Sequence, residues 1–203
     1  TETLLRLPGC FLCFSPHPDT PTVAPRPAGA ALTFGCFSNF AKVTPEMLGL
    51  WGKLLVQLPK TRLLLKAAAF QDAAARHSLL NTLADCGVSA ERISLLPPTA
   101  TYAEHLAYYN QVDVALDTFP YNGATTTCEA LYMGVPVVSP VGLAHAGRVG
   151  LSLLTGLGRD TWAARTPGEY VAKATALMAD EPGRQALRQS LRAEMSASPL
   201  MNA

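Results

Sequence analysis

The chain has 203 residues, a formal net charge of +1, 49% apolar residues and 15% charged ones. The apolar share supports a substantial core, while the near-neutral balance without a Lys/Arg stripe argues against a nucleic-acid polymer as partner and leaves a nucleotide ligand open. No run of roughly 18 apolar residues is present, so no membrane span is expected.

Residues 1–31 are irregular. Pro8, Pro16, Pro18, Pro21, Pro25 and Pro27 forbid a long helix and favour extended backbone, so this stretch is predicted to be a linking segment from an upstream domain. Its short apolar pieces, Leu4-Leu5 and Phe11 to Phe14, are expected to lie against something. No signal-peptide pattern opens the chain, which reads like the middle of a longer one. The five cysteines are scattered, and Cys10 with Cys13 has no second pair to complete a zinc site. Reduced, buried thiols in an intracellular, cytoplasmic protein are the expectation.

From Leu32 the pattern turns regular, and residues 32–203 are predicted to form one nucleotide-binding domain. Leu32 to Ser38 reads as a first strand. Thr44 then supplies an N-cap and Pro45 the first helical position, and Met47, Leu50, Trp51, Leu54 and Leu58 recur at helical spacing up to Pro59. Arg62 to Lys66 is a second strand, 71–86 a helix closed at Gly87, and Ile93 to Leu96 a third strand ended by Pro97 and Pro98. Thr101 with Glu104 is a capping box opening the next helix. Val112 to Leu116 is a fourth strand, and a turn-rich loop to Thr125 leads into a helix from about Thr126 to Met133. Gly134 closes that helix before a fifth strand, Val135 to Ser139. Ala146 to Leu154 reads as helical and Thr161 to Ala164 as a short last strand. Thr166 and Pro182 open two final helices. Strands alternating with helices predict one doubly wound, parallel α/β domain.

In such a sheet, ligands bind at the carboxyl edge where the strand order reverses. The loop Ser38 to Val43 and the threonine loop are expected to meet there. Thr125, Thr126 and Thr127 stand at a helix start, where free N–H groups and the helix dipole favour a phosphate. Lys42 is placed to reach that phosphate or to be a solvated surface lysine. Glu129, three residues past Thr126, either completes a capping box or faces the crevice and accepts from ribose hydroxyls. His105 lies one turn into its helix at the same edge and is either structural or part of the site, and His145, in the loop after the fifth strand, is a further candidate to line the crevice. Asp117 ends a strand at the ligand edge and either takes part there or fixes the turn. The dinucleotide fingerprint and the Walker lysine are both missing, which disfavours a Rossmann dehydrogenase or a P-loop NTPase.

The stretch LDTFPYNGATTTCEALYMGVPVVS, preceded by RLPGCFLCFSP and FGCFSNFAKVTPEML, strongly resembles the carboxy-terminal catalytic lobe of TPR-linked protein O-glycosyltransferases. That group comprises the O-GlcNAc transferases and the plant SPINDLY-type proteins. The resemblance covers nearly the whole chain and implies a GT-B architecture, of which this would be the second, nucleotide-sugar-binding Rossmann-like lobe. A bacterial member would fit the alanine-rich composition. The resemblance further implies that Lys42 stabilises the departing nucleotide diphosphate and that Asn39 lies near the phosphates. Thr125 and Thr126 would bind the diphosphate, Glu129 the ribose, and Ala100 and His105 would lie beside the nucleobase and its ribose. No metal or other cofactor is implied, and the catalytic base is expected in the upstream lobe.

Several positions depart from the animal O-GlcNAc transferases. Ala124 stands where they carry histidine, and Tyr102 and Tyr108 where they carry basic residues beside the base. The wording of the threonine loop is nearer to SPINDLY, whose plant members resemble GDP-fucose users; UDP-GlcNAc is the favoured donor. A protein or peptide acceptor, an upstream catalytic lobe and TPR repeats are the implied partners, and the chain is expected to stop short of the family's usual C-terminal helix. A non-catalytic nucleotide-binding module and a glycan-building glycosyltransferase are the competing readings.

Overall fold

The computed structural model describes residues 10–202. Six parallel strands, β1 (Thr33–Cys36), β2 (Arg62–Lys66), β3 (Ile93–Leu96), β4 (Val114–Leu116), β5 (Val137–Pro140) and β6 (Ala163–Ala164), form one sheet in the order β3-β2-β1-β4-β5-β6. The order reverses between β1 and β4, as the doubly wound reading requires. Around the sheet lie α1 (Pro45–Gln57), α2 (Ala73–Asp85), α3 (Tyr102–Ala107), α4 (Thr125–Tyr132), α5 (Val149–Gly156), α6 (Pro167–Ala179) and α7 (Glu181–Ala197).

Because side chains alternate across a strand, each strand feeds two cores. Phe34, Leu63, Leu65, Val114 and Val138 join Trp51, Leu79 and Tyr170 on one face. Leu64, Ala115 and Val137 join Tyr109, Leu131, Leu153 and Leu191 on the other. This two-sided burial explains why the strands read as continuous apolar runs.

The predicted caps hold in geometry. Thr44, Thr101 and Thr166 each accept a hydrogen bond from the backbone N–H three residues on, at 3.3, 3.2 and 3.1 Å. Gly134 has φ of 75°, the left-handed conformation that ends α4 and is disfavoured for side chains with a Cβ. Several expectations need adjusting. The buried face of α1 also includes Leu48 and Leu55, whereas Leu50 and Leu58 are only half-buried, since the helix lies between the sheet and both α2 and α6. Ala146 to Leu154 divides into a 3-10 turn, His145–Gly147, and α5.

Residues 10–31 hold no strand or helix and lie against the domain. Arg26 pairs with Asp113 at 3.1 Å, the Asn110 amide side chain receives the Ala24 N–H and donates to the Thr22 carbonyl, and the Phe14 N–H donates to the Leu200 carbonyl. The Leu4-Leu5 piece lies outside the described residues. All five cysteines are free; Cys36 and Cys128 are buried, and burial pushes both thiols up to about 12. Cys13, by contrast, is exposed, because an extended segment on the surface buries only one of its sides.

Candidate functional site at the strand-order switch

The loops after β1 and β4 flank the point where the order reverses, and a narrow crevice between them is lined by Phe37, Ser38, Asp117, Thr126 and Thr127. On the β1 side, Asn39 caps a short 3-10 turn, Phe40–Lys42, by accepting from the Ala41 N–H at 3.0 Å, and its carbonyl accepts from the Lys42 N–H at 2.9 Å. That turn aims Lys42 across the switch point. Its ammonium donates to the Asn122 carbonyl at 3.0 Å and sits 4.0 Å from the centre of the Tyr121 ring. Partial burial pulls the Lys42 pKa down, and the Asp117 carboxylate opposes that shift.

The β4 loop is built on two buried polar residues. Asp117 accepts from the N–H groups of Thr118 and Gly123, at 2.8 and 2.6 Å, and from Ser139 Oγ at 2.6 Å. Burial raises its pKa to about 6 despite those hydrogen bonds and the nearby Lys42. Of the two readings of Asp117, the geometry therefore provides the turn-fixing contacts. Asn122, fully buried, donates through Nδ2 to the carbonyls of Thr118 and Pro140 and accepts from the Gly150 N–H. Gly123 packs so tightly under α4 that a Cβ there would lie 2.6 Å from Thr126 Oγ1. The loop is further tied to the far core, where Trp51 Nε1 donates to the Tyr170 hydroxyl, which donates to the Asp117 carbonyl at 3.0 Å.

Ala124, the residue before α4, brings no side-chain oxygen to the first turn of the helix. The leading N–H groups of α4 lack intrahelical partners and carry the positive end of the dipole. Thr125 is exposed and Thr126 half-buried, with Thr126 Oγ1 3.4 Å from Ser38 Oγ. Lys42, Thr125 and Thr126 thus share one rim. The corner sets one ammonium group beside a helix start whose free N–H groups favour a negative charge.

A second cluster lies on the same carboxyl edge, toward β2 and α3. Glu129 is not part of a capping box, because α4 begins at Thr125, one residue earlier than predicted, and Thr126 is already inside it. Instead Glu129 is buried, with only 3% of its surface exposed. Its Oε1 accepts from the Tyr102 hydroxyl; its Oε2 lies 3.1 Å from His105 Nε2 and 3.4 Å from the Tyr109 hydroxyl. His105 Nδ1 faces Lys66 Nζ at 2.9 Å. Tyr102 and His105 stack with ring centres 5.7 Å apart, and His17 from the N-terminal segment tilts onto Tyr102 at 5.1 Å. Ala100 is exposed in the loop between β3 and α3, and Tyr108 is half-buried beyond it.

Sequence reasoning missed Lys66, Tyr109 and His17. The one available signal was a lysine closing the apolar run of β2 at the ligand edge. His145 lies against Phe11, 5.1 Å away, beside a separate surface groove rather than on the crevice. Among the described residues no group of three or more His, Cys, Asp or Glu side chains gathers to hold a metal ion, and no helix is long and apolar enough to cross a membrane.

Comparison with known proteins bears on the family and the fold. The pattern of glycosyl transferase family 41 matches residues 25–203. The chain is 46% identical over 201 residues to a rice protein named as a probable UDP-N-acetylglucosamine–peptide N-acetylglucosaminyltransferase, SPINDLY, covering 98% of this chain and 22% of that one. The chain therefore spans about a fifth of the length of the curated relatives it matches. Among solved structures, an O-GlcNAc transferase mutant from Thermobaculum terrenum superposes with a TM-score of 0.91 at 41% identity, over 99% of this chain and 38% of that one. The C-terminal domain of a glycosyl transferase group 1 protein from Francisella tularensis shares the fold alone, with a TM-score of 0.62 at 15% identity, covering 82% and 85% of the two chains. The sheet is that of a GT-B catalytic lobe. The chain belongs to glycosyl transferase family 41.

Proposed function

We propose that this chain is the donor-binding lobe of an inverting protein O-glycosyltransferase, which transfers a sugar from a nucleoside diphosphate to a Ser or Thr hydroxyl. The observation that carries the reading is Lys42 Nζ reaching across the switch point to the Asn122 carbonyl, beside the uncapped start of α4. In this reading the diphosphate lies on Thr125, Thr126 and the N–H groups of that helix turn, with Asn39 shaping the loop that presents Lys42. As the anomeric C–O bond breaks, negative charge grows on the β-phosphate oxygen. Once the bound diphosphate has drawn the ammonium group from the Asn122 carbonyl, that group and the helix start are in place before the bond breaks, so they stabilise the transition state more than the ground state. The acceptor hydroxyl attacks the opposite face of the sugar, which inverts the anomeric centre. Its proton leaves to a base in the upstream lobe.

The nucleoside is assigned to the second cluster, with Ala100, Tyr102 and His105 around the base, Ala124 beside the diphosphate, and Glu129 at the ribose. UDP-GlcNAc is the favoured donor, supported by the names of the relatives. The likeness to SPINDLY and the tyrosines at 102 and 108 favour the second reading, GDP-fucose-dependent O-fucosylation. The proposed partners are a protein or peptide acceptor, an upstream lobe joined through residues 1–31, and TPR repeats; the proposed setting is cytoplasmic.

Calorimetric titration of an intact two-lobed protein with UDP, GDP, UDP-GlcNAc and GDP-fucose, followed by radiolabelled sugar transfer to protein, tests this. Preferential binding of the uridine or guanosine pair selects the donor. Binding without transfer to any protein would mark a non-catalytic module, and transfer to glycan alone would move the acceptor class.

A further inference from the structure

Glu129, His105 and Lys66 form a line from the nucleoside cluster into the sheet, and only one arrangement of protons satisfies it. Lys66 ends β2, is 6% exposed, and has its Nζ 2.9 Å from His105 Nδ1. An ammonium group donates and never accepts, so Nδ1 must present its lone pair. The imidazole proton is then on Nε2, aimed at Glu129 Oε2 3.1 Å away. The other tautomer would set N–H against ammonium and a lone pair against a carboxylate, and an imidazolium would place a second cation beside Lys66. The aromatic neighbours of the ring, Phe37, Tyr102 and Tyr109, contribute no further charge at neutral pH.

We propose that Lys66 is a positioning residue of the nucleoside end of the site: its ammonium group fixes His105 as the Nε2–H tautomer, which pins Glu129 Oε2 and leaves Oε1 as the oxygen available for exchange with a ribose hydroxyl. The two carboxylate oxygens are unequal. Oε2 is held by His105, with the buried Tyr109 hydroxyl, whose single proton is shared with the nearer Thr126 carbonyl at 3.1 Å, lying 3.4 Å away, while Oε1 is held by Tyr102, which is half-buried. A ligand hydroxyl reaching the cluster therefore competes with Tyr102 alone. Lys66 also supplies the counter-charge that makes a buried carboxylate tolerable without touching it. Its own pKa is lowered by burial and raised again by Glu129. The consequence for ribose binding rests on the nucleotide-sugar reading; the tautomer assignment does not.

Long-range 1H–15N spectra of the histidine-labelled 203-residue chain, with His105→Gln for assignment, test it. The account expects a pure Nε2–H tautomer for His105 in the ligand-free protein. Lys66→Met should mix the tautomers and weaken UDP or GDP binding about tenfold or more, as for loss of a hydrogen bond involving a charged group, while inorganic pyrophosphate binding stays unchanged. Lys66→Arg, also donor-only, should restore the tautomer. A wild-type His105 that is protonated on Nδ1 overturns the proposal even if Lys66→Met fails to fold, and so does an unaltered tautomer in a folded Lys66→Met. A correct tautomer in a wild-type chain that binds neither nucleotide would uphold the Lys66 assignment and defeat the nucleotide reading instead.

Discussion

The two ends of the proposed donor site are built on opposite plans. At the diphosphate end, the side chains meant for the ligand, Thr125, Thr126 and Lys42, are half-buried or exposed, and rigidity comes from beneath them, from Asp117, Asn122 and Gly123. At the nucleoside end, the polar groups have already satisfied one another: Glu129, His105, Lys66, Tyr102 and Tyr109 close into a single hydrogen-bonded cluster. A growing phosphate charge needs donors that do not reorganise at the moment of reaction. A ribose hydroxyl must instead replace a bond that the protein already makes. Under the proposed function, one end serves rate and the other selectivity.

The largest expected effect lies at the first end. In the two-lobed protein, Lys42→Ala should reduce turnover by roughly 10²–10³-fold, the effect of removing one preorganised donor, with a much smaller change in donor affinity. Equal losses in both would make Lys42 a plain binding contact and erase the contrast between the ends.

Next comes the scaffold under that end. In the folded protein Asp117 binds its proton more tightly than in the open chain, with its pKa raised from 3.8 to about 6 by burial. The stabilisation from that proton is complete below about 4 and lost as the pH climbs through about 6, a contribution on the order of 3 kcal/mol. Glu194, whose pKa is lowered, has the opposite slope, so the wild-type profile is a mixture. The difference between wild type and Asp117→Asn in urea unfolding at several pH values isolates the Asp117 part. The variant should lose the decline between pH 4 and 6; an unchanged decline would show that the loop does not depend on this carboxyl.

At the nucleoside end, removing the one hydroxyl that stands in for the ligand should have a smaller effect of the opposite sign. Tyr102→Phe removes the hydroxyl that competes for Glu129 Oε1, so nucleoside diphosphates should bind a few-fold more tightly, on the order of 1 kcal/mol. The gain should vanish with 2′,3′-dideoxy analogues. Weaker binding of both would make the Tyr102 hydroxyl a ligand contact rather than a stand-in. Smallest of all, Thr126→Val should weaken pyrophosphate binding a few-fold, since the helix N–H groups remain; no change would remove that hydroxyl from the site.

Much of this was legible in the sequence. Strands β2 and β3 match their predicted bounds, because the leucine run of β2 is framed by Arg62 and Lys66 and that of β3 stops at Pro97 and Pro98. The three threonine caps and the parallel order follow from local patterns of the same kind. Glu129 was not legible. Its spacing from Thr126 fits a capping box, yet its partners Tyr102, His105 and Tyr109 stand on α3 and the turn that follows it, 27, 24 and 20 residues away in sequence. Only the packing of α3 against α4 brings them together. Lys66 was hidden for the same reason, since a lysine at a strand end normally reads as a solvated terminus, whereas here it is buried against an imidazole from the crossover between β3 and β4.

The most direct test is a crystal structure of this chain soaked with UDP or GDP. The account predicts both phosphoryl groups at the first turn of α4, within hydrogen-bonding reach of Thr125 and Thr126 and with the Lys42 ammonium group turned from the Asn122 carbonyl toward them. A diphosphate bound on any other part of the sheet edge, or a Lys42 still committed to Asn122 in the occupied site, would contradict it.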